Sequence, residues 1–403
     1  MTDLSEFAKR PRHKMSHPQG WEPGITWSPS SGGVITAIAD DEPDPAIWAQ
    51  LIEDWGLDPS RTQIVGEVQI RAWDSPDPDG GLRRLKYYRA VIKPKEPGKD
   101  RADITALCKL VEKRKPKPLT PTATDHVYFV GLSDWQLGKA NEVGGGTPET
   151  VERIYGALER SLVQAKSLRK VGKGSETVVL AGLGDIVEGC GDDWYAMGTW
   201  SQDLNQREQD RLARRLLLAF IDAYVDAGYK VIAPCVPGNH GENRRGGKAF
   251  TDLSDNRDVS CFETVAEIMA ANPERYGNVT VPLGAIQDDE LTAVLDLGGL
   301  PVGLAHGHQF RGSGGTQAKV ESWWKGQALG RTPIADAELL IAGHGHHLVI
   351  SEATGRTFIQ VPAMDGGSRW WTSTTGQHSP AGMLTMNVGL AVGTRGWSDL
   401  AVV

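Results

Sequence analysis

Gly343-His344-Gly345-His346-His347 sets two imidazoles two residues apart on a glycine-rich turn, so both can point at one place. Alone this is a weak metal signal. Four other clusters precede it: Ser133-Asp134-Trp135-Gln136, Gly184-Asp185-Ile186-Val187-Glu188, Gly238-Asn239-His240 and Ala305-His306-Gly307-His308. Between them, Asp134, Asp185, Asn239, His306, His344 and His346 offer carboxylate, amide and imidazole ligands. Such a mixture suits manganese, iron, zinc or a related ion rather than calcium or copper(I). Each residue alone also has an ordinary reading: an Asp after a strand is commonly a turn or a helix cap, and an Asn a turn residue. The chemistry rests on the set.

The set needs a scaffold. From His126 onward, apolar runs alternate with amphipathic stretches, which argues for a layered α/β domain. Val127 to Leu132, Thr177 to Leu183 and Lys230 to Val236 read as buried strands, stopping at Asp134, Asp185 and Asn239. Helices are expected after Thr147-Pro148-Glu149, over Leu204 to Ala227 and over Val259 to Ala271. Shorter strands follow at Leu291 to Leu297, Val302 to Ala305, Leu339 to Ala342, Leu348 to Glu352, Thr357 to Val361 and Met383 to Val388. Each chemical cluster therefore lies just past a strand, where ligands of α/β sheets gather.

Ahead of this domain, residues 1–44 are rich in Pro, Gly, Ser and Asp and read as an irregular arm. Residues 45–94 read as a small α+β module. Asp44-Pro45 opens a helix to Trp55, then Gln63 to Trp73 and Leu82 to Ile92 form a hairpin. Arg71, Arg83, Arg84, Lys86 and Arg89 make that hairpin basic, either as a binding face or as a charged edge. Residues 95–124, rich in Lys and Pro, read as a linker with a short helix near Ile104 to Lys113. Residues 125–403 form the main domain.

The composition, with 39% hydrophobic and 23% charged residues, is that of a globular chain. No apolar run approaches the ~20 residues of a membrane span, and Met1 to Gly20 has no apolar segment of the secretory kind. Cys108, Cys190, Cys235 and Cys261 form no CxxC pair, so we expect reduced thiols and a cytoplasmic protein. A net charge of −8 excludes a generally basic nucleic-acid binder and leaves only local basic surfaces.

The order Asp-x-Gln, Gly-Asp, Gly-Asn-His, His-Gly-His and Gly-His-x-His resembles the calcineurin-like metallophosphoesterase superfamily, over roughly residues 125 to 350. The resemblance implies a two-sheet α/β sandwich and a centre of two divalent ions, manganese first, with iron, zinc or magnesium as alternatives. It implies that Asp134, Gln136 and His346 hold one ion, that Asn239, His306 and His344 hold the other, and that Asp185 bridges them. It makes His240 the group that protonates the leaving oxygen and Glu188 the carboxylate that orients it. The implied reaction is phosphoester hydrolysis by in-line attack of a hydroxide shared by the ions. One departure stands out: the superfamily usually has Asp-x-His where this chain has Asp134-Trp135-Gln136. An amide oxygen is a weaker ligand than imidazole, so a looser first site is expected. A second departure, Gly189 after Glu188, lacks the phosphate-gripping Arg of the protein Ser/Thr phosphatases and speaks against that branch.

For the substrate, Arg244, Arg245 and Lys248 follow the His240 cluster, and Arg311 and Trp323 follow His308. With Trp135 they suit a nucleic-acid strand, the cations meeting phosphates and the indoles stacking on bases. Trp194, Trp200, Trp370 and Trp371 are further stacking candidates, while Asp192-Asp193 weighs against a polyanion. His308, His347 and His378 are taken as neighbours of the site. Lys319 to Gly330 and Pro362 to Ser368 resemble double-strand-break-repair nucleases and phage-encoded phosphoesterases. A phosphodiesterase acting on DNA or RNA is thus the leading expectation. The alternatives are a phosphomonoesterase on a nucleotide, phosphoprotein or small phosphate, and a non-catalytic binding module with a relict metal site.

Overall fold

The computed structural model describes residues 17–28, 32–39, 43–59, 62–76, 82–94, 100–116, 125–140, 143–190, 202–245, 248–283, 290–367, 372–373, 376 and 378–403. The chain divides into two compact units, Met1–Lys99 and Asp100–Val403.

In the first unit, β1 (Gly24–Ser28), β2 (Gly32–Ile38), β3 (Thr62–Pro76) and β4 (Leu82–Pro94) form an antiparallel sheet in the order β1-β2-β4-β3. Helix α1 (Pro45–Asp54) starts at Asp44, whose carboxylate accepts from the Ile47 N–H at 2.8 Å. Trp48 and Ile52 of α1 pack on Ile35, Ala37, Tyr88, Ala90 and Ile92. The irregular arm expected over residues 1–44 is corrected here, because residues 24–38 supply two strands of this sheet. Ile35 and Ala37 alternate inward there, a short period-two signal hidden among the surrounding Gly and Ser. On the basic hairpin, Arg84 pairs with Asp74 at 2.9 Å, and Arg89 lies 4.4 Å over the Trp21 ring.

The second unit begins with α2 (Asp100–Glu112), whose Leu107 and Val111 are buried in its core. The helix expected within the linker is thus present, longer at its start and docked on this unit. Its Asp103 pairs with Arg215, which fixes the helix electrostatically as well.

The remaining elements are β5 (Val127–Leu132), α3 (Thr147–Lys170), β6 (Thr177–Gly182), α4 (Gln206–Asp226), β7 (Lys230–Ile232), a two-residue ladder β8 (Arg244–Arg245) and β9 (Lys248–Ala249), α5 (Arg257–Met269), α6 (Pro273–Tyr276), β10 (Val279–Thr280), β11 (Thr292–Leu297), β12 (Leu300–Ala305), α7 (Thr316–Gly330), β13 (Leu339–Ala342), β14 (Val349–Ala353), β15 (Arg356–Gln360), β16 (Leu384–Val388) and β17 (Trp397–Val402). They make a six-stranded sheet, β10-β7-β6-β5-β16-β17, and a five-stranded sheet, β11-β12-β13-β15-β14. Strands β10, β7, β6 and β5 run parallel, as do β12, β13 and β15.

Side-chain parity explains the layering. Val127 and Phe129 of β5 join Val302 and Leu304 of β12, Leu339 and Ile341 of β13 and Ile359 of β15 in one core between the sheets. The alternate residues, Tyr128, Val130 and Leu132, face a second core with α3, α4 and α5. On the far side of the smaller sheet, Leu340 and Phe358 meet Val320 and Trp324 of α7. The result is the two-sheet α/β sandwich expected from the sequence, flanked by helices. Among the described residues no helix is long and apolar enough to cross a membrane, and the four cysteines are unpaired.

Candidate metal centre

The parallel strands set the geometry. Asp134 follows β5, Asp185 follows β6, His306 follows β12 at once, and His344 and His346 follow β13. Both sheets therefore deliver their carboxyl ends to one edge of the sandwich. The loops are tightly turned: Asp134, Gln136, Asp185, His344 and His346 all have positive φ, between 44° and 67°. Left-handed backbone costs a non-glycine residue about 1–2 kcal/mol. Strain gathered on the very residues that the sequence picks as ligands is the mark of a functional site.

Two glycines allow the loops to meet. A Cβ at Gly238 would overlap the backbone nitrogen and carboxylate of Asp185, and one at Gly343 would overlap the Ser133 hydroxyl. A residue the sequence reading missed, Asp258 on α5, ties the loops together. Its buried carboxylate accepts from the backbone N–H groups of Asp185 at 2.8 Å, Ile186 at 3.0 Å, Val187 at 3.2 Å and Gly238 at 3.2 Å. Burial and the nearby Asp185 charge push its pKa up to about 6 against those donors.

Three groups converge beside Asp185. His306 Nδ1 lies 2.7 Å from the Leu183 carbonyl and must donate to it, which turns Nε2 inward. That Nε2 sits 3.0 Å from Asp185 Oδ2, 3.1 Å from Asn239 Oδ1 and 3.2 Å from His344 Nδ1. So close a set of oxygen and imidazole groups suits a cation. In the metal-free protein the cation is a proton: burial opposes it, but Asp185 outweighs burial and His306 is pushed up to about 9. A divalent ion fits the same place, held by Asp185, Asn239, His306 and His344. Asp185 and His306 are buried and His344 is exposed, so the position is open on one side.

The second cluster is less complete. Asp134 Oδ2 accepts from Ser133 Oγ at 2.5 Å and from the His344 backbone N–H at 2.9 Å, whereas its buried Oδ1 has no hydrogen-bond partner. His346 Nε2 is 3.3 Å from that free oxygen. Its Nδ1 is 3.3 Å from Asp365, a further residue the sequence reading did not place at the site. Burial opposes protonation of His346, but Asp134 and Asp365 prevail and push it up to about 10. Asp134 Oδ1 facing the His346 ring across 3.3 Å fits a divalent ion here too. Gln136 does not complete this set: its Oε1 accepts from Lys139 Nζ at 2.5 Å.

His240 is anchored on both sides. Its Nδ1 is 3.0 Å from the Glu188 carbonyl oxygen and 3.5 Å from the Glu188 carboxylate. The Gln136 amide nitrogen lies 3.4 Å from Nε2, and Asp185 Oδ2 is 3.9 Å from it. Since Lys139 can only donate, it fixes which end of the Gln136 amide faces it, and the NH2 end faces His240. Burial lowers the His240 pKa, and Asp185 and Glu188 raise it further, for a net upward shift. With Nδ1 held by Glu188, Nε2 is the nitrogen turned inward.

No family model matches the chain, and no curated protein matches it. Solved structures do. One is an archaeal phosphodiesterase, 13% identical, covering 68% of this chain and 99% of its own at a TM-score of 0.31. Another is vacuolar protein sorting 29 from Cryptosporidium parvum, 13% identical, covering 69% and 97% at 0.31. A third is a predicted phosphoesterase from Streptococcus pneumoniae, 12% identical, covering 66% and 85% at 0.24.

The expected substrate residues divide. Arg245, Lys248 and Arg311 are exposed, and Arg244 is paired with Glu242 at 2.7 Å. Trp135 is corrected: it is fully buried, packed on Phe220 with ring centroids 5.5 Å apart, and presents no face to a base. Its apolar neighbours Leu132 and Leu137 carry it into the helix-side core. Trp323 is half-buried against Phe310 at 4.8 Å. Of the neighbouring histidines, His308 is pushed down to about 3 by burial and then by His306, and its Nε2 lies 3.8 Å from Glu242. Trp194, Trp200, Trp370, Trp371 and Asp192-Asp193 lie outside the described residues.

Proposed function

We propose that this protein is a divalent-metal-dependent phosphoesterase, and that its substrate is a phosphodiester of DNA or RNA. One observation carries the reading: the inward Nε2 of His306, within 3.2 Å of Asp185 Oδ2, Asn239 Oδ1 and His344 Nδ1. Asp185, Asn239, His306 and His344 would hold one ion; Asp134, His346 and the shared Asp185 would hold another. Ions bound there supply a water acidified to near neutral pKa and a charge that grips the phosphate oxygens.

The chain's own groups do the rest. His240, with Nδ1 tethered to Glu188, turns Nε2 toward Asp185 and is placed to hand a proton to the departing oxygen. Asp365 holds the His346 ring from behind and so sets which nitrogen faces Asp134. Exposed Arg245, Lys248 and Arg311 support a polyanionic substrate. Manganese is the first ion to try, since oxygen and imidazole ligands are mixed.

The test compares a labelled oligonucleotide with p-nitrophenyl phosphate, each with manganese. Oligonucleotide cleavage that Asp185→Asn abolishes, in a protein with an unchanged melting curve, supports the reading. Faster hydrolysis of the monoester transfers the assignment to phosphomonoesterase. Hydrolysis of neither leaves a binding module and overturns the proposal.

A further inference from the structure

The ammonium of Lys139 engages the Gln136 oxygen that the Asp134 and His346 position would need for a third side chain. Nζ donates to Gln136 Oε1 at 2.5 Å and to Asp365 Oδ2 at 2.5 Å. The Lys139 side chain is only 23% exposed and that of Asp365 only 6%, so this is a built contact, not a surface encounter. Two consequences follow. The single Gln136 oxygen that a metal ion would use is turned away toward an amine. Asp365, which also backs His346 at 3.3 Å, has part of its charge already matched by Lys139. The two halves of the centre are therefore unequal. The Asp185, Asn239, His306 and His344 half has four converging acceptors. The other has the orphaned Asp134 Oδ1 and His346, with a fixed positive charge beside them.

We propose that Lys139 is a resident cation of the centre, which weakens ion binding at the Asp134 and His346 position and leaves one divalent ion held tightly. This rests on the metal-centre reading above. Its logic is electrostatic: a unit charge 2.5 Å from the Asp365 carboxylate, whose other oxygen lies 3.3 Å from His346, repels a dication held by that ring, and in a half-buried site water screens little of it. Lys139 and Gln136 also set the donor that faces His240 Nε2 at 3.4 Å, so they position that ring as well.

The experiment counts manganese on the full chain by equilibrium dialysis with elemental analysis, and follows exchange coupling between manganese ions by electron paramagnetic resonance. The wild type is expected to bind one ion tightly and a second at least about tenfold more weakly. Lys139→Met is expected to tighten the second ion about tenfold or more and to show a coupled pair at concentrations where the wild type shows a single uncoupled ion. Lys139→Arg keeps the charge and is expected to keep the wild-type inequality, which separates charge from simple loss of fit. Two equally tight ions in the wild type, or the same affinities in the Met and Arg variants, would overturn the inference and leave the phosphoesterase reading intact. No manganese bound by the wild type at all would sink both.

Discussion

Asp258 gives the sharpest test of how the centre is built. Truncating it to Ala removes a carboxylate that serves four backbone donors, those of Asp185, Ile186, Val187 and Gly238. A hydrogen bond to a charged acceptor contributes about 1.5–3 kcal/mol, so the gross loss is roughly 6–12 kcal/mol. Against this stands the relief of burying a charge, worth several kcal/mol. The net cost should be about 3–5 kcal/mol, concentrated in the two loops rather than spread over the chain. Hydrogen exchange reads this directly: the 182–190 and 236–241 segments of Asp258→Ala should exchange about a hundredfold faster or more, while β12 and β13 change little. Asp258→Asn should fall between, because its amide oxygen can replace Oδ1 toward Ile186 and Val187 but turns an NH2 toward the Asp185 and Gly238 donors. Exchange in the Ala variant within about threefold of wild type would refute the idea that this carboxylate holds the loops.

Two further outcomes follow from the titrating groups. In the metal-free protein the folded pKa values of His306 and His346 are raised, to about 9 and about 10. Raised values mean the folded state holds protons that the unfolded state releases above about 6.5, so their stability contribution is complete below that pH. It is lost as pH rises through 9 to 10. Calorimetry in chelator should therefore show the melting temperature falling from pH 7 to 10, and saturating manganese should flatten that slope because ions replace the protons. A flat profile in chelator would contradict the placement of Asp185 and Asp134 against these rings. Separately, His240→Gln should lower kcat by about a hundredfold to ten-thousandfold while the manganese content stays at wild type. An unchanged kcat would remove His240 from proton transfer.

What could be read from the sequence was what depends on local pattern and residue type. The apolar runs before Asp134, Asp185, His306 and His344 marked buried strands, and the ligand types behind them limited the chemistry to oxygen and nitrogen donors. The unbroken apolar run Val127 to Leu132 foretold a strand buried on both faces, and both proved covered. Strand lengths were less legible: Lys230 to Val236 was expected as one run, but the ladder stops at Ile232 and resumes only as a bridge at Cys235. The arm strands, β17 and α7 were also missed, because Gly- and Ser-rich neighbours or mixed polarity blurred their periodicity.

The sequence by itself determined which groups this protein carries at the ends of its strands: carboxylates, amides and imidazoles. Tertiary structure alone decided how those groups are spent. Trp135, expected at a substrate, is packed into the core because its neighbours are apolar in space and not only in sequence. Gln136, expected as a ligand, turns its oxygen to Lys139, and Lys139 is held there by Asp365, 226 residues further along the chain. A contact between positions so far apart leaves no local pattern. It exists only because the parallel strands of two sheets end at one edge, and there the charges must find one another.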